Sequence, residues 1–274
     1  MNNFAVLDIT KLHLTNAIVI RTTTNNPCHL TCYYTDKQPG SHRTSRNQRG
    51  LTLPWGVYYC FVAWNSVEQL EAGDTLLHTF VVPSWQLAQT KWFAFRGTVS
   101  GEISPSVSPI FEHKHTGQNL ILNPGFEDWT LPPGNAPDHW AYPPAPHFGY
   151  EWPDPTIKTE GDYSCRTDNP TLYGNFYLWQ ELDYSLLNNL RLTFQADFRG
   201  EAPSRNNLFV DAYGDFNIYR IRYLTLNYTW ETISLPISLP DNLTRLYLRV
   251  QNWNQGSPTP FQTWIDNFQV SYTP

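Results

Sequence analysis

Apolar and polar side chains alternate with a period of two along much of the second half of the chain. The clearest runs are Phe176–Leu182, Leu190–Phe198, Leu208–Tyr213 and Leu246–Gln251. Successive side chains of a β-strand point to opposite faces, so this alternation predicts strands with one apolar face and one face of mixed polar and aromatic residues. Antiparallel sheets with one face toward solvent have this pattern.

The first half contains short runs rich in Val, Ile, Thr and aromatic residues, separated by turn-forming clusters. The runs are residues 17–23, 29–34, 56–64, 76–82, 92–99 and 107–111. Six or seven short strands in about 100 residues predict an immunoglobulin-like or fibronectin-like β-sandwich. The closing segment GTVSGEISPSVSPIF (97–111) resembles the last loop and strand of fibronectin type III domains.

A Ser/Pro-rich stretch followed by EHKHTGQ (112–118) indicates a boundary between two domains of ordinary size. We therefore expect an N-terminal arm at 1–13, a sandwich at 14–111, a linker at 112–117 and a second domain at 118–274. The segment 129–163 is rich in proline and tryptophan, and its prolines are incompatible with central strands. It is predicted to be a long ordered loop packed on the second domain.

Composition excludes several classes of protein. Aromatic residues make up 15% of the chain and charged residues 15%, with a net charge of −6. So many aromatic side chains argue against disorder, and the negative charge argues against a nucleic-acid partner. The most apolar stretch, Gly56–Trp64, is too short for membrane insertion, which needs about 20 residues. The four cysteines (28, 32, 60 and 165) are interpreted as free thiols, with a Cys28–Cys60 or Cys32–Cys60 disulfide left open.

Several motifs of the second half resemble those of jelly-roll carbohydrate-binding modules. They are NLILNPGFEDW (119–129), the loop with Pro137, Asp138 and Trp140, LYGNFYLWQEL (172–182), and WIDNFQV (264–270). The resemblance implies a jelly-roll fold. The resemblance also implies a structural calcium ion held by Glu127 of the first strand and Asp266 of the last. The chemistry agrees, since calcium prefers hard oxygen ligands. The expected fold class is therefore all-β, with two antiparallel β-sandwich domains, immunoglobulin/fibronectin-like and then jelly roll.

The mixed face of the second domain is the candidate ligand-binding surface. Sugars offer C–H faces that stack on aromatic rings and hydroxyl groups that need polar partners. The predicted ligand-binding residues are Tyr177, Trp179, Asp197, Asp211, Tyr213, Tyr247, Arg249 and Gln251. The alternative is that the 129–163 loop covers this face. Asp197 and Asp211 on adjacent strands would be the nearest approach to a glycosidase pair, but no second acid with a plausibly raised pKa accompanies them, so we expect no enzyme.

These features favour a non-catalytic virion structural or appendage protein, of the tail-fibre or capsid-decoration type. The expected partners are other virion proteins or copies of the same chain, and a cell-surface glycan. The first fifteen residues lack the apolar core of a signal peptide, which is consistent with localisation in a virion. The alternative is a secreted, extracellular carbohydrate-binding or adhesin module of a cellular organism.

Overall fold

A computed structural model describes residues 4–36, 64–83, 91–101, 106–113, 120–130, 136–142, 150–169, 175–200, 204–225, 228–254 and 261–274. Within these residues every regular element is a β-strand, and every strand pair is antiparallel. The all-β fold class is confirmed. The chain divides into two compact units, Met1–Gln118 and Asn119–Pro274. The described chain contains no helix of the length and apolarity that a bilayer crossing requires.

The first unit is built on one seven-stranded hydrogen-bonded sheet, sheet A. Its strands are β1 (Val6–His13), β2 (Ala17–Thr35), β3 (Asn65–Glu68), β4 (Thr75–Pro83), β5 (Lys91–Val99), β6 (Ser106–Val107) and β7 (Phe111–His113). Strand β2 pairs with β1, β3, β4 and β5, while β6 and β7 both pair with β5. Sheet A therefore depends on β2, which is shared by four neighbours.

Strand β2 changes partners along its length. Its first part pairs with β1 and β4, its last part pairs with β3 and β5, and the register shifts between Thr23 and Cys28. Pro27 lies within this shift, where a residue without a backbone donor interrupts no ladder. Alternate side chains of β2, β4 and β5 form the core of the unit together with Phe4. The buried cluster is Phe4, Ile18, Ile20, Cys28, Leu30, Cys32, Tyr34, Phe80, Val82, Phe93 and Phe95.

The ends of the first unit differ from the sequence prediction. Residues 6–13 of the predicted arm form β1, which pairs with residues 18–24 of β2. Residues 112 and 113 of the predicted linker belong to β7, which pairs with residues 91–93. In sequence, an edge strand of mixed polarity resembles a connecting segment, which is why these residues were not predicted as strands. In the fold His13 and His113 are buried. The rest of the linker, the first three residues of the arm, Cys60 and residues 56–63 of the strand predicted at 56–64 lie outside the described residues.

Two further outcomes concern the first unit and the cysteines. The described residues give no support to the fibronectin likeness, because their strands join into a single sheet. Cys28 and Cys32 are free and buried, and Cys165 is also buried. Burial raises the pKa of Cys32, which keeps this thiol protonated.

The second unit contains two antiparallel sheets. Sheet B has the order β10-β15-β12-β13 and sheet C the order β14-β11-β16-β9-β8. Their strands are β8 (Tyr150–Asp154), β9 (Ser164–Asn169), β10 (Asn175–Glu181), β11 (Arg191–Gly200), β12 (Ser204–Tyr213), β13 (Ile218–Thr225), β14 (Glu231–Ser238), β15 (Arg245–Asn254) and β16 (Phe261–Tyr272). Each sheet buries one face in the core, as the period-two pattern predicts. On β11 and β12 the buried apolar side chains are Leu192, Phe194, Ala196, Phe198, Leu208, Val210 and Ala212.

A buried polar network stands beside the apolar core of the first unit. His78 is fully buried; its Nδ1 lies 2.8 Å from Gln69 Oε1 and its Nε2 lies 3.0 Å from Thr24 Oγ1. The Gln69 amide also accepts from the backbone N–H of Leu30 at 2.7 Å. Burial is the main cause that lowers the pKa of His78, and the charge of Glu71 partly opposes it. The folded state therefore favours the neutral imidazole.

We expect the stability of the first unit to fall as the pH falls below about 6.5, the ordinary pKa of histidine. A lowered pKa in the folded state means that the unfolded chain binds the proton first, so the loss continues until the folded pKa is passed. Replacing His78→Gln should reduce this pH dependence. Urea unfolding of both full-length proteins between pH 5 and pH 8 gives the free energy of unfolding at each pH. If this free energy changes with pH equally in the two proteins, the prediction is wrong.

Candidate functional site

The outward face of sheet B carries the candidate site. Outward positions of neighbouring strands lie opposite one another: Trp179 opposite Arg249, Phe209 opposite Arg249, and Asp211 opposite Tyr247 and Tyr219. The opposite face carries the buried leucine and valine side chains of the same strands. We call this surface the outer face and define it by Trp179, Asn207, Phe209, Asp211, Tyr213, Tyr219, Ile221, Tyr247, Arg249 and Gln251.

Four aromatic rings form a continuous row across the four strands of the outer face. The ring centroids of Trp179 and Tyr247 are 5.3 Å apart, those of Tyr247 and Tyr213 5.9 Å, and those of Tyr213 and Tyr219 5.7 Å. The interplanar angles are 77°, 84° and 89°, so each ring meets the next edge to face, a favourable arrangement for aromatic quadrupoles. Each ring is therefore held in place by its neighbour.

The row ends on an exposed ring. Tyr219 belongs to the edge strand β13 and is 57% exposed, whereas Tyr213 is half-buried. Burial is the main cause that raises the pKa of Tyr213, followed by the hydrogen bond with Tyr219 and the nearby charge of Asp211. The phenol of Tyr213 therefore stays protonated, as a hydrogen-bonding group, to higher pH than an ordinary tyrosine.

An ion pair lies at the centre of the outer face. Arg249 Nε is 2.5 Å from Asp211 Oδ2, and the side chain of Asp211 is only 4% exposed. The guanidinium group of Arg249 also lies 4.7 Å from the centre of the Phe209 ring. Asn207 and Gln251 lie two residues along their strands from Phe209 and Arg249, and Asn207 Nδ2 donates a hydrogen bond to Gln251 Oε1 over 3.3 Å. Polar groups thus stand beside aromatic rings on one face, a combination that is typical of ligand-binding sites.

The structure brings six of the eight predicted ligand-binding side chains onto the outer face, namely Trp179, Asp211, Tyr213, Tyr247, Arg249 and Gln251. Tyr177 occupies the register position opposite Gln251, but its side chain lies outside the described residues. Whether these residues bind a ligand stays a prediction.

The placement of Asp197 with this group was wrong. Asp197 belongs to β11 of sheet C, where it lies opposite Thr232 and Asp266. It accepts hydrogen bonds from Thr232 Oγ1 at 2.5 Å and from Asn267 Nδ2 at 3.0 Å. Asp197 and Asp211 are therefore not on adjacent strands. The alternation of apolar and polar residues assigns a residue to one face of its own strand. Which sheet the strand joins depends on backbone pairing with strands that are distant in the sequence.

Four outer-face residues were missed from the sequence: Asn207, Phe209, Tyr219 and Ile221. Asn207 and Phe209 continue the alternation of Asp211 and Tyr213 along β12, so the pattern itself contained the signal. Tyr219 and Ile221 belong to β13, where Tyr and Ile alternate with Arg220 and Arg222. Both are more than half exposed, as expected for an edge strand.

The described parts of the 129–163 segment lie at the edges of the sheets. Ala141 forms an isolated antiparallel bridge with Trp179, with backbone N–O distances of 2.9 and 3.0 Å. Residues 150–154 form β8, the edge strand of sheet C. Ala141 and β8 therefore extend the edges of sheets B and C. Residues 131–135 and 143–149 lie outside the described residues.

Side-chain amides hold the residues that carry the motif NLILNPGFEDW. Asn123 Nδ2 donates to the carbonyls of Asp128 and Asp138 at 2.9 and 3.1 Å. Gln180 Oε1 accepts from the N–H of Leu122 at 2.9 Å, and its Nε2 donates to the Leu122 carbonyl at 2.9 Å. Residues 120–130 form no strand, contrary to the first strand that the sequence predicted. The two amides supply the hydrogen bonds that a ladder would have supplied.

The two predicted calcium ligands lie beside one loop. Asp266 is fully buried, and its Oδ2 accepts from Thr159 N at 2.7 Å and Thr159 Oγ1 at 2.8 Å. The carboxylate of Glu127 accepts from the backbone N–H groups of Asp162 and Tyr163 at 2.9–3.3 Å. The two carboxylates therefore hold the turn at residues 159–163, a feature that we call the carboxylate clamp.

The described residues do not form a ready-made calcium site. The clamp carboxylates already accept backbone donors, and no group of three Asp, Glu, His or Cys side chains among the described residues is arranged to hold an ion. Burial is the main cause that raises the pKa of Glu160, with the charges of Asp266, Asp197 and Glu127 adding to it. Calcium at Glu127 and Asp266 stays a prediction.

No family model and no curated protein matches this chain. Among solved structures, the chain is similar to TmCBM61 in complex with beta-1,4-galactotriose, with 18% identity, 57% of this chain and 99% of that chain covered, and a TM-score of 0.44. A family 16 carbohydrate-binding module has 15% identity, coverage of 56% and 99%, and a TM-score of 0.43.

A carbohydrate-binding module from the β-sandwich superfamily matches along more of the chain. It has 11% identity, covers 98% of both chains, and has a TM-score of 0.41. These structural neighbours are carbohydrate-binding modules with β-sandwich folds. Because all three TM-scores are low, the fold described above rests on the strand pairing of this chain, and the function has to be argued from its own residues.

Gly161→Ala should destabilise the second unit by about 3 kcal/mol or more. Gly161 has φ +62°, which costs an L-residue about 1–2 kcal/mol, and a Cβ there would overlap the Glu127 carboxylate and disrupt its charge-assisted hydrogen bonds. Gly73→Ala is the matched control, because Gly73 has φ +71° but nothing within 4 Å of the added Cβ. Urea unfolding of both variants measures the difference. Equal losses would show that the clamp contributes nothing.

The calcium prediction is tested by melting the full-length protein after chelation and again with added calcium. A bound ion stabilises the folded state by mass action, so calcium should raise the melting temperature of the wild type but not that of Asp266→Asn. If the melting temperature of the wild type does not respond to calcium, the calcium prediction is wrong, and hydrogen bonds alone connect the clamp carboxylates to the turn at residues 159–163.

Proposed function

We propose that the second unit binds carbohydrate on the outer face of sheet B. The observation that carries the proposal is the aromatic row from Trp179 to Tyr219 beside the Asp211–Arg249 ion pair. Aromatic rings match the C–H faces of sugars, and the buried polar groups match their hydroxyl groups. One face of one sheet thus offers both kinds of contact that a glycan needs.

The rings of this face are fixed before any ligand arrives. Edge-to-face contacts restrain each ring, and the backbone of Trp179 is tied to Ala141 by two hydrogen bonds. Arg249 is restrained by Asp211 and by the Phe209 ring. Binding to such a face orders few side chains, which reduces the entropy cost of association. Pre-organisation is therefore a further argument for a binding surface.

A substitution at the exposed end of the aromatic row tests the proposal. Tyr219→Ala should weaken binding to a glycan by about tenfold, because the last ring of the row is lost. Tyr228→Ala is the matched control: Tyr228 is equally 57% exposed, but it lies outside the strands of sheet B. Affinity electrophoresis of the full chain through gels containing xylan, galactan, glucan or mannan measures the difference.

Trp179→Ala extends this experiment to the other end of the row, and a circular dichroism spectrum like that of the wild type establishes that each variant is folded. If Tyr219→Ala and Trp179→Ala migrate like the wild type in every gel that retards the wild type, the row does not bind glycan. If no gel retards the wild type, the proposed function is wrong.

We further propose the setting in which this binding operates. Glycan binding on the outer face would suit a virion structural or appendage protein that contacts a cell-surface glycan. The alternative is an extracellular carbohydrate-binding or adhesin module. Neighbouring genes for capsid and tail proteins would support the virion role, and neighbouring genes for glycan use would support the alternative.

A further inference from the structure

Two buried acceptor atoms of the outer face have no hydrogen-bond donor among the described residues. They are Asn207 Oδ1 and Asp211 Oδ1, on side chains whose residues are only 2% and 3% exposed. The other polar atom of each side chain is engaged, Asn207 Nδ2 with Gln251 and Asp211 Oδ2 with Arg249. A buried acceptor left unpaired is costly and requires an explanation.

The chemistry of these two atoms restricts what can pair with them. An amide oxygen and a carboxylate oxygen only accept hydrogen bonds, so the missing partner must donate. A sugar hydroxyl group donates one hydrogen and carries no charge. The unpaired atoms therefore mark places where a bound glycan would present hydroxyl hydrogens.

The charges on the outer face disfavour an acidic ligand. Arg249, which lies opposite Phe209 on the outer face, is already paired with Asp211. Toward one end of the face, exposed Glu181 lies opposite Tyr247 on β10, and exposed Arg245, of opposite charge, lies two residues from Tyr247 on β15. A carboxylate on the ligand would meet the charge of Asp211, whose described partner Arg249 is already engaged, and like charges at close range repel.

The spacing of the two acceptors sets the length of the ligand. Asn207 and Asp211 are four residues apart on β12, which corresponds to about 13 Å along the strand. The Phe209 ring, with Arg249 over it, lies between them. A single sugar ring is too small to reach both acceptors, so a ligand that satisfies both must be a chain.

We propose that the outer face selects a neutral oligosaccharide that lies along β12 and donates hydroxyl hydrogens to Asn207 Oδ1 and Asp211 Oδ1. This proposal rests on the proposed function and adds to it the charge, the minimum length and the direction of the ligand. It also assigns Asn207 as a residue that determines specificity.

Isothermal titration of the full chain with a neutral oligosaccharide series tests the length, using the sugar of whichever neutral polysaccharide retards the protein. Affinity should rise by about tenfold or more between the monosaccharide and the tetrasaccharide, because only the longer ligand reaches both acceptors. Polygalacturonate and alginate serve as acidic probes and should bind at least tenfold more weakly than the neutral polymer.

Asp211→Asn and Asn207→Leu test the acceptors. Each should weaken binding of the tetrasaccharide by about tenfold, and Asp211→Asn should also reduce the discrimination against polygalacturonate because it frees Arg249. Asp197→Asn makes the same chemical change in sheet C and should bind like the wild type. A changed preference between neutral and acidic glycans is a result that loss of packing alone would not produce. The oligosaccharide series with the wild-type protein tests the ligand length without depending on the folding of any variant.

A monosaccharide that binds as tightly as the tetrasaccharide would overturn this inference while leaving glycan binding in place. So would polygalacturonate or alginate binding as tightly as the neutral polymer, or folded Asp211→Asn and Asn207→Leu proteins that bind like the wild type. If neither neutral nor acidic glycans bind, the proposed function and this inference both fail.

Discussion

The burial of alternate side chains along β12 and β15 is the constraint on which the candidate site depends. Leu208 and Val210 pack into the core of the second unit, which forces Phe209 and Asp211 to the other face. The side-chain period of a strand is two, and a slip of one residue would exchange the faces completely. The core and the candidate site are therefore specified by the same register, and neither could change without the other.

The edge of sheet B is completed by side chains rather than by another full strand. Asn123 and Gln180 supply hydrogen bonds to the backbone of residues 120–130 and 136–142, and among these described residues one bridge, at Ala141, joins β10. Trp140 packs on Phe126 and Phe268, with ring centroids 5.2 and 4.9 Å apart, and buries the apolar side of this segment. A segment without a ladder remains ordered because its backbone polar groups still have partners. The first position of the aromatic row, Trp179, is held by this arrangement.

Much of the candidate site was accessible from the sequence because alternation is a local property. Trp179, Tyr213 and Tyr247 were assigned to the mixed face of their strands, and the structure places them in one aromatic row. Asp197 was assigned by the same reasoning to the mixed face of β11, but β11 belongs to the other sheet. The reasoning about faces held for each strand, whereas the grouping of strands did not.

The sequence by itself determined the all-β class, the outward positions of β10, β11, β12 and β15, and the motif residues that fold around Asn123 and Gln180. Only the tertiary structure decided that β10, β15, β12 and β13 are neighbours, that residues 6–13 pair with β2, and that the clamp carboxylates accept backbone donors. The physical reason is distance along the chain. The direction of a side chain follows from its own strand and from the residues next to it. Backbone pairing instead joins segments that are far apart along the chain, such as Gln180 and Leu248, which are about 70 residues apart, and it depends on the packing of the whole unit.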